Sequence, residues 1–141
     1  MGRARSAGIE FTSEVDVLPN LVASLNYTYT DSENLATDRP LPREPRHRWN
    51  IGLTWEPISK LSLFTQVHVV SEQFEQFGEV YNSGYTRVDI GGTWRIIERM
   101  GWLQKLELTA RISNLLNEGY AEVRGFPALG INALVGLRAS F

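Results

Sequence analysis

The feature that most constrains this chain is an alternation of apolar and polar residues with period two. In Arg48-Trp49-Asn50-Ile51-Gly52-Leu53-Thr54-Trp55 the residues Trp49, Ile51, Leu53 and Trp55 fall on one side and Arg48, Asn50, Gly52 and Thr54 on the other. A helix would scatter these two sets around its circumference, whereas a strand separates them. Ile9, Phe11, Val15 and Val17 oppose Glu10, Thr12, Glu14 and Asp16; Leu21, Ala23, Leu25, Tyr27 and Tyr29 oppose Ser24, Asn26, Thr28 and Thr30. Leu61, Leu63, Val67 and Val69 oppose Ser62, Gln66 and His68, with Phe64 an exception on the polar side. The pattern returns at Val88, Ile90, Trp94 and Ile96, at Leu106, Leu108, Ala110 and Ile112, and at Ile131 through Phe141. About seven strands result, several longer than the roughly 5–6 residues usual in soluble sheets.

Connections between the strands alternate in length. Pro19-Asn20, Pro57-Ile58-Ser59 and Glu98-Arg99-Met100-Gly101 read as short turns. Asp31–Pro45, Glu72–Gly84 and Asn114–Gly130 read as long loops, which therefore all emerge at one end of the sheet.

Two environments reward such strands. A soluble barrel or sandwich turns its apolar face inward; an outer-membrane barrel turns it toward lipid and lines its interior with polar groups. Alternation alone does not choose. Strand length, loop asymmetry and aromatic placement favour lipid, because spanning strands need roughly 9–11 residues and carry aromatics at both interfaces. Trp55, Trp94, Trp102 and Phe141 fall near the short-turn ends; Tyr27, Tyr29, Trp49, Tyr85 and Tyr120 fall near the long-loop ends.

Composition removes other classes. The 141 residues hold no Cys, which rules out disulfide frameworks and thiolate metal sites. A formal charge of −2 gives no electrostatic reason to expect nucleic acid as a partner. No stretch free of charge is long enough for a spanning helix, and no apolar leader follows Met1.

No constellation points to catalysis, a metal or a cofactor. His47 and His68 lie far apart and read as polar wall residues. Glu10, Glu14 and Asp16 are expected to join Arg87, Asp89, Arg95, Lys105, Glu107, Arg111 and Arg138 in a charge ladder neutralised across neighbouring strands. Gly91-Gly92 sits inside a strand pattern with no following helix or Lys, so it marks a close approach or bend rather than a phosphate loop. Arg39, Arg43, Arg46 and Arg48 form a basic cluster about the first long loop, read as a solvated loop, with attraction of an anionic ligand or lipopolysaccharide phosphates as the alternative.

Several segments resemble TonB-dependent outer-membrane receptors. The ending Gly130-Ile131-Asn132-Ala133-Leu134-Val135-Gly136-Leu137-Arg138-Ala139-Ser140-Phe141 is similar to the family's last strand, which closes on an aromatic. Asn114-Leu115-Leu116-Asn117-Glu118-Gly119-Tyr120 resembles the element before it, and Leu41-Pro42-Arg43-Glu44-Pro45-Arg46-His47-Arg48 resembles the family's entry into a strand. Gly84-Tyr85-Thr86-Arg87-Val88-Asp89-Ile90-Gly91 and Gly2-Arg3-Ala4-Arg5-Ser6-Ala7-Gly8-Ile9-Glu10 match its habits too.

The resemblance implies an all-β fold of antiparallel, up-and-down transmembrane barrel strands in the outer membrane, with no enzyme activity. It implies uptake of iron–siderophore or cobalamin-like ligands, through ligand contacts the sequence does not identify. Such transporters close with about 22 strands around a plug, so residues 1–141 are expected to form the C-terminal segment of a barrel, without a plug domain. Met1 would then be an internal residue, and the chain alone would not be competent for transport. Implied partners are outer-membrane lipid, the remaining barrel and plug, and the assembly machinery, for which Phe141 is the expected signal. Unpaired edges would make isolated chains aggregate or self-associate. A self-contained small outer-membrane barrel and a soluble ligand-binding barrel stay as alternatives.

Overall fold

The computed structural model describes residues 3–75 and 80–141. Met1 and Gly2, and positions 76–79 within the expected Glu72–Gly84 loop, lie outside the described residues. The elements are β1 (Ala4–Leu18), β2 (Leu21–Asn34), β3 (Arg39–Pro40), β4 (His47–Ile58), β5 (Leu61–Val70), β6 (Gln73–Glu75), β7 (Val80–Asn82), β8 (Tyr85–Ile97), β9 (Lys105–Ser113), β10 (Ala121–Val123), β11 (Phe126–Pro127) and β12 (Asn132–Ser140).

The wall is a meander in the order β1-β2-β4-β5-β8-β9-β12, with β3 added beside β2, and its ladders are antiparallel. The short hairpins β6–β7 and β10–β11 stand in two of the long connections. Among the described residues β1 and β12 do not pair, so the sheet is open at both edges and is not a closed small barrel.

The two faces decide the environment. No hydrophobic residue is buried among the described residues, whereas Asp89 and Glu107 are. Trp49, Ile51, Leu53, Trp55, Val135 and Leu137 are all exposed on the opposite face. A soluble barrel would bury that set and solvate the carboxylates. The soluble alternative therefore fails, and the apolar face is built to meet another apolar medium.

Local detail follows from residue type. Gly91 lies opposite Phe64 on β5, and Gly92 opposite Leu63. A Cβ on Gly91 would come within 2.7 Å of the Phe64 ring, and one on Gly92 within 2.8 Å of Leu63 Cδ2. The glycine pair thus makes room for one large side chain on each face, the close approach expected from its place within a strand. The β4–β5 turn falls one residue later than expected, at Ser59-Lys60, and Pro57 sits inside β4 where the register shifts between Trp55 and Ile58. A residue without an N–H is tolerated there because the ladder is already interrupted.

Candidate functional site on the polar face

The polar face of β8, β9 and β12 carries an ion-pair ladder. Asp89, with no exposed surface, accepts from the Arg111 guanidinium at one carboxylate oxygen and from the Asn114 backbone N–H at the other, 3.0 Å away. Arg87 Nε lies 3.3 Å from the same carboxylate. Nearer the β8–β9 turn, Glu107 pairs with Lys105 Nζ at 2.6 Å and with Arg95 Nε at 3.9 Å, and Arg138 stands opposite it on β12. Arg111 also lies over the Phe64 ring, 5.7 Å from its centroid, which accounts for an aromatic among polar neighbours.

The expected ladder does not extend to β1. Glu10, Glu14 and Asp16 face Thr28, Ser24 and Val22 on β2, which offer no cation. They sit on the outermost strand, so only one side supplies neighbours.

Above the ladder, toward the long loops, Arg43, Arg48, Asn50, His68, Tyr85 and Arg87 line a polar pocket of about 430 Å³. The basic cluster read from the sequence is thereby divided. Arg43 and Arg48 reach this pocket, Arg46 pairs with Asp31 at 3.6 Å in solvent, and Arg39 lies in β3.

Glu75 fastens the loops over this pocket. Its carboxylate accepts from Arg43 Nε at 3.2 Å and from the Arg124 backbone N–H at 3.3 Å. Gln73 donates to the Glu122 carbonyl and Asn82 to the Ala121 carbonyl, both at 2.6 Å. Burial pushes the Glu75 carboxyl up, but hydrogen bonds from Arg124, Arg43 and Gln73 and the Arg43 charge outweigh it and hold the group below its ordinary range. A depressed carboxyl contributes stability that is full above its unfolded value and is lost as pH falls through the folded value. Hydrogen exchange at residues 73–75 and 121–127 should therefore accelerate only below the ordinary glutamate range. Glu75→Gln should accelerate it already at neutral pH. Equal protection of variant and parent at pH 7 would show that the clasp does not hold the loops.

Asn114 and Asn117, both with positive φ (54° and 51°), fold the start of the last long loop. Asn114, fully buried, donates from Nδ2 to the carbonyls of Glu118 and Leu129 and accepts from the Glu118 N–H. Asn117 Oδ1 accepts from the Ile131 N–H at the entry to β12. The motif carrying the family resemblance thus ties β9 to β12. Sequence reasoning did not assign it this role; two Asn residues at turn positions were the available signal.

The predicted interface aromatics divide between faces. Tyr27 stacks on Trp49 with centroids 3.9 Å apart, Tyr29 meets His47 at 5.3 Å, and the Tyr27 hydroxyl lies 2.9 Å from His47 Nδ1. His47 thereby joins an aromatic group on the apolar face, while His68 is on the polar face against Asn50, so the two histidines lie on opposite sides of the sheet. Trp55 and Trp94 are exposed on the apolar face, and Trp102 stacks on Phe141 at 5.0 Å beside the β8–β9 turn. Tyr85 differs from expectation. It shares the parity of Arg87 and Asp89, lines the polar pocket and stacks on Tyr120 at 4.0 Å, so it is not at the lipid interface.

Comparison with known proteins accounts for this inverted sheet. The family model described as TonB dependent receptor-like, beta-barrel, matches residues 1–115. The chain belongs to that family. This receptor barrel is an outer-membrane protein, its apolar face is the lipid face, and its family is one of receptors, not enzymes. It is 26% identical over 148 residues to the iron-regulated outer membrane virulence protein of Vibrio cholerae serotype O1, covering 98% of this chain and 22% of that relative. The receptor barrel thus spans about a fifth of that relative's length.

Among solved structures it resembles the copper transporter OprC (TM-score 0.82, 20% identity, 98% of this chain and 24% of that one). It likewise resembles the ferric enterobactin receptor PfeA of Pseudomonas aeruginosa (0.80, 24%, 95% and 22%). A third likeness is the siderophore receptor PiuA of Acinetobacter baumannii (0.80, 16%, 96% and 22%). At these identities the likeness is one of fold.

Proposed function

We propose that the chain is the C-terminal part of the barrel wall of a TonB-dependent receptor that takes up ferric siderophores. The observation that carries the reading is the inverted sheet: buried charge on one face, unburied apolar side chains on the other, and two unpaired edges. The iron-regulated Vibrio cholerae relative and the siderophore-receptor folds favour an iron chelate as cargo; no observation favours a cobalamin-like one. In this reading the ion-pair ladder and the polar pocket face the lumen, where a plug from elsewhere in the receptor would meet them. The chain alone would not transport.

The test is a hybrid in which this chain replaces the matching segment of the Vibrio cholerae protein, expressed in a host lacking siderophore receptors. Uptake of iron from ferric enterobactin or another ferric siderophore is the expected result. A hybrid that reaches the outer membrane folded, yet takes up none of a panel of ferric siderophores, would overturn the assignment.

Phe141 is the proposed assembly signal. It is 70% exposed beyond the last strand, so its ring contributes little to packing except against Trp102. Phe141→Ala in the hybrid should lower its outer-membrane yield several-fold while Phe141→Tyr keeps it. Equal yields for all three proteins would remove the signal role.

A further inference from the structure

We infer that the polar pocket above the ladder sorts cargo by charge: it takes iron chelates of net negative charge in preference to uncharged ones, and Arg48 is the specificity-determining residue. The inference rests on the ferric-siderophore reading and names the class of chelate within it.

The argument starts from which charges a ligand would meet. The guanidiniums of Arg43, Arg48 and Arg87 reach the pocket. Arg43 gives only its Nε to Glu75, and its side chain stays half exposed while the Glu75 carboxylate is enclosed. Arg87 and Arg111 share the single carboxylate of Asp89, which has no exposed surface. Arg48 forms no ion pair among the described residues. Glu122 lines the pocket too, and it is exposed. Four guanidiniums (Arg43, Arg48, Arg87 and Arg111) thus stand against three carboxylates (Glu75, Asp89 and Glu122), which leaves one positive charge unmatched. Two of those carboxylates lie beneath their cations, so the pocket presents guanidinium to whatever enters it. Charge-assisted hydrogen bonds from guanidinium to an oxyanion are strong and gain further where water is partly excluded.

Register places the groups around one space. Arg48 on β4 lies opposite Val70 on β5, and Val70 lies opposite Tyr85 on β8. Val70 is short, which leaves room between Arg48 and Tyr85. Arg87 is tethered: its Nε meets Asp89, and its Nη1 donates to the Tyr120 hydroxyl at 3.3 Å, while Tyr120 stacks on Tyr85. The strands of Arg48 and Arg87 are two apart, about 10 Å, so the two long side chains can converge on one ligand. Outer-leaflet phosphates do not fit this arrangement. Arg43 and Arg48 line the lumenal pocket, and Arg46, the cluster member in solvent, already pairs with Asp31.

The test is equilibrium binding to the purified hybrid receptor. The probes are radioiron-labelled ferric enterobactin, an anionic chelate, and ferrichrome, an uncharged one. The anionic chelate should bind more tightly, with an affinity that falls as salt rises. Arg48→Gln should reduce the preference for it by about tenfold, the loss of one hydrogen-bonded charge. Arg48→Lys should keep most of the preference, and Glu122→Gln should increase it. Heat-modifiable migration checks that each variant is folded. Equal affinity for the two chelates, or an Arg48→Gln variant with the parent's preference, would defeat the inference even where uptake proceeds. Discrimination in binding without uptake of any chelate would defeat the transport reading and leave the site standing. Binding of neither chelate by a folded hybrid would defeat both.

Discussion

Leu53→Arg should destabilise the bilayer-embedded receptor by about 3 kcal/mol, whereas Thr54→Arg, one residue along, should cost less than about 1 kcal/mol. The two positions differ only in the face they present. Leu53 lies between Trp49 and Trp55 on the exposed apolar face, near the middle of β4; Thr54 points to the lumen. A guanidinium at the first site enters hydrocarbon and at the second enters a polar, hydrated space. The measurement is urea unfolding of the hybrid receptor in lipid vesicles. Equal costs at both sites, or a larger one at Thr54, would contradict the orientation of the whole wall.

The second large effect is expected at Asp89. Asp89→Ala should cost about 1–3 kcal/mol, because it leaves the Asn114 N–H without its acceptor inside the wall, while the two guanidiniums it releases stay partly in solvent. Asp89→Asn keeps an acceptor for the Asn114 N–H and should cost less. Adding Arg111→Met to Asp89→Ala should recover part of the loss, since the stranded cation is then removed and Met can still pack on Phe64. Strict additivity of the two substitutions would mean that the side chains do not act as a pair.

The wall was legible in the sequence because its signal is repetitive. Each of the seven wall strands shows period-two alternation over enough residues to exclude a helix, and the β1–β2 and β8–β9 turns carry Pro or Gly. The β6–β7 and β10–β11 hairpins were not legible. With two or three residues per strand they show no alternation, and they are held by contacts between distant loops such as Gln73 to the Glu122 carbonyl.

Tyr85 was misplaced for a different reason. Its position along the strand suggested an interface, but its parity with Arg87 and Asp89 already put it on the lumenal face. The converse holds for His47, whose parity with Trp49 places an imidazole among the lipid-side aromatics. Parity outranks residue type in such a sheet. The charge ladder was legible as a set of residues, yet its limits were not, because they depend on what each strand has for neighbours. β2 offers β1 only Thr28, Ser24 and Val22, a fact that appears once the register is known.

The placement of the indoles has an optical consequence. Three of the four tryptophans, Trp49, Trp55 and Trp94, point away from the lumen, and Trp102 rests on Phe141 at the short-turn rim. Their emission should be dimmed by bromine-bearing acyl chains and stay blind to anything passing through the interior.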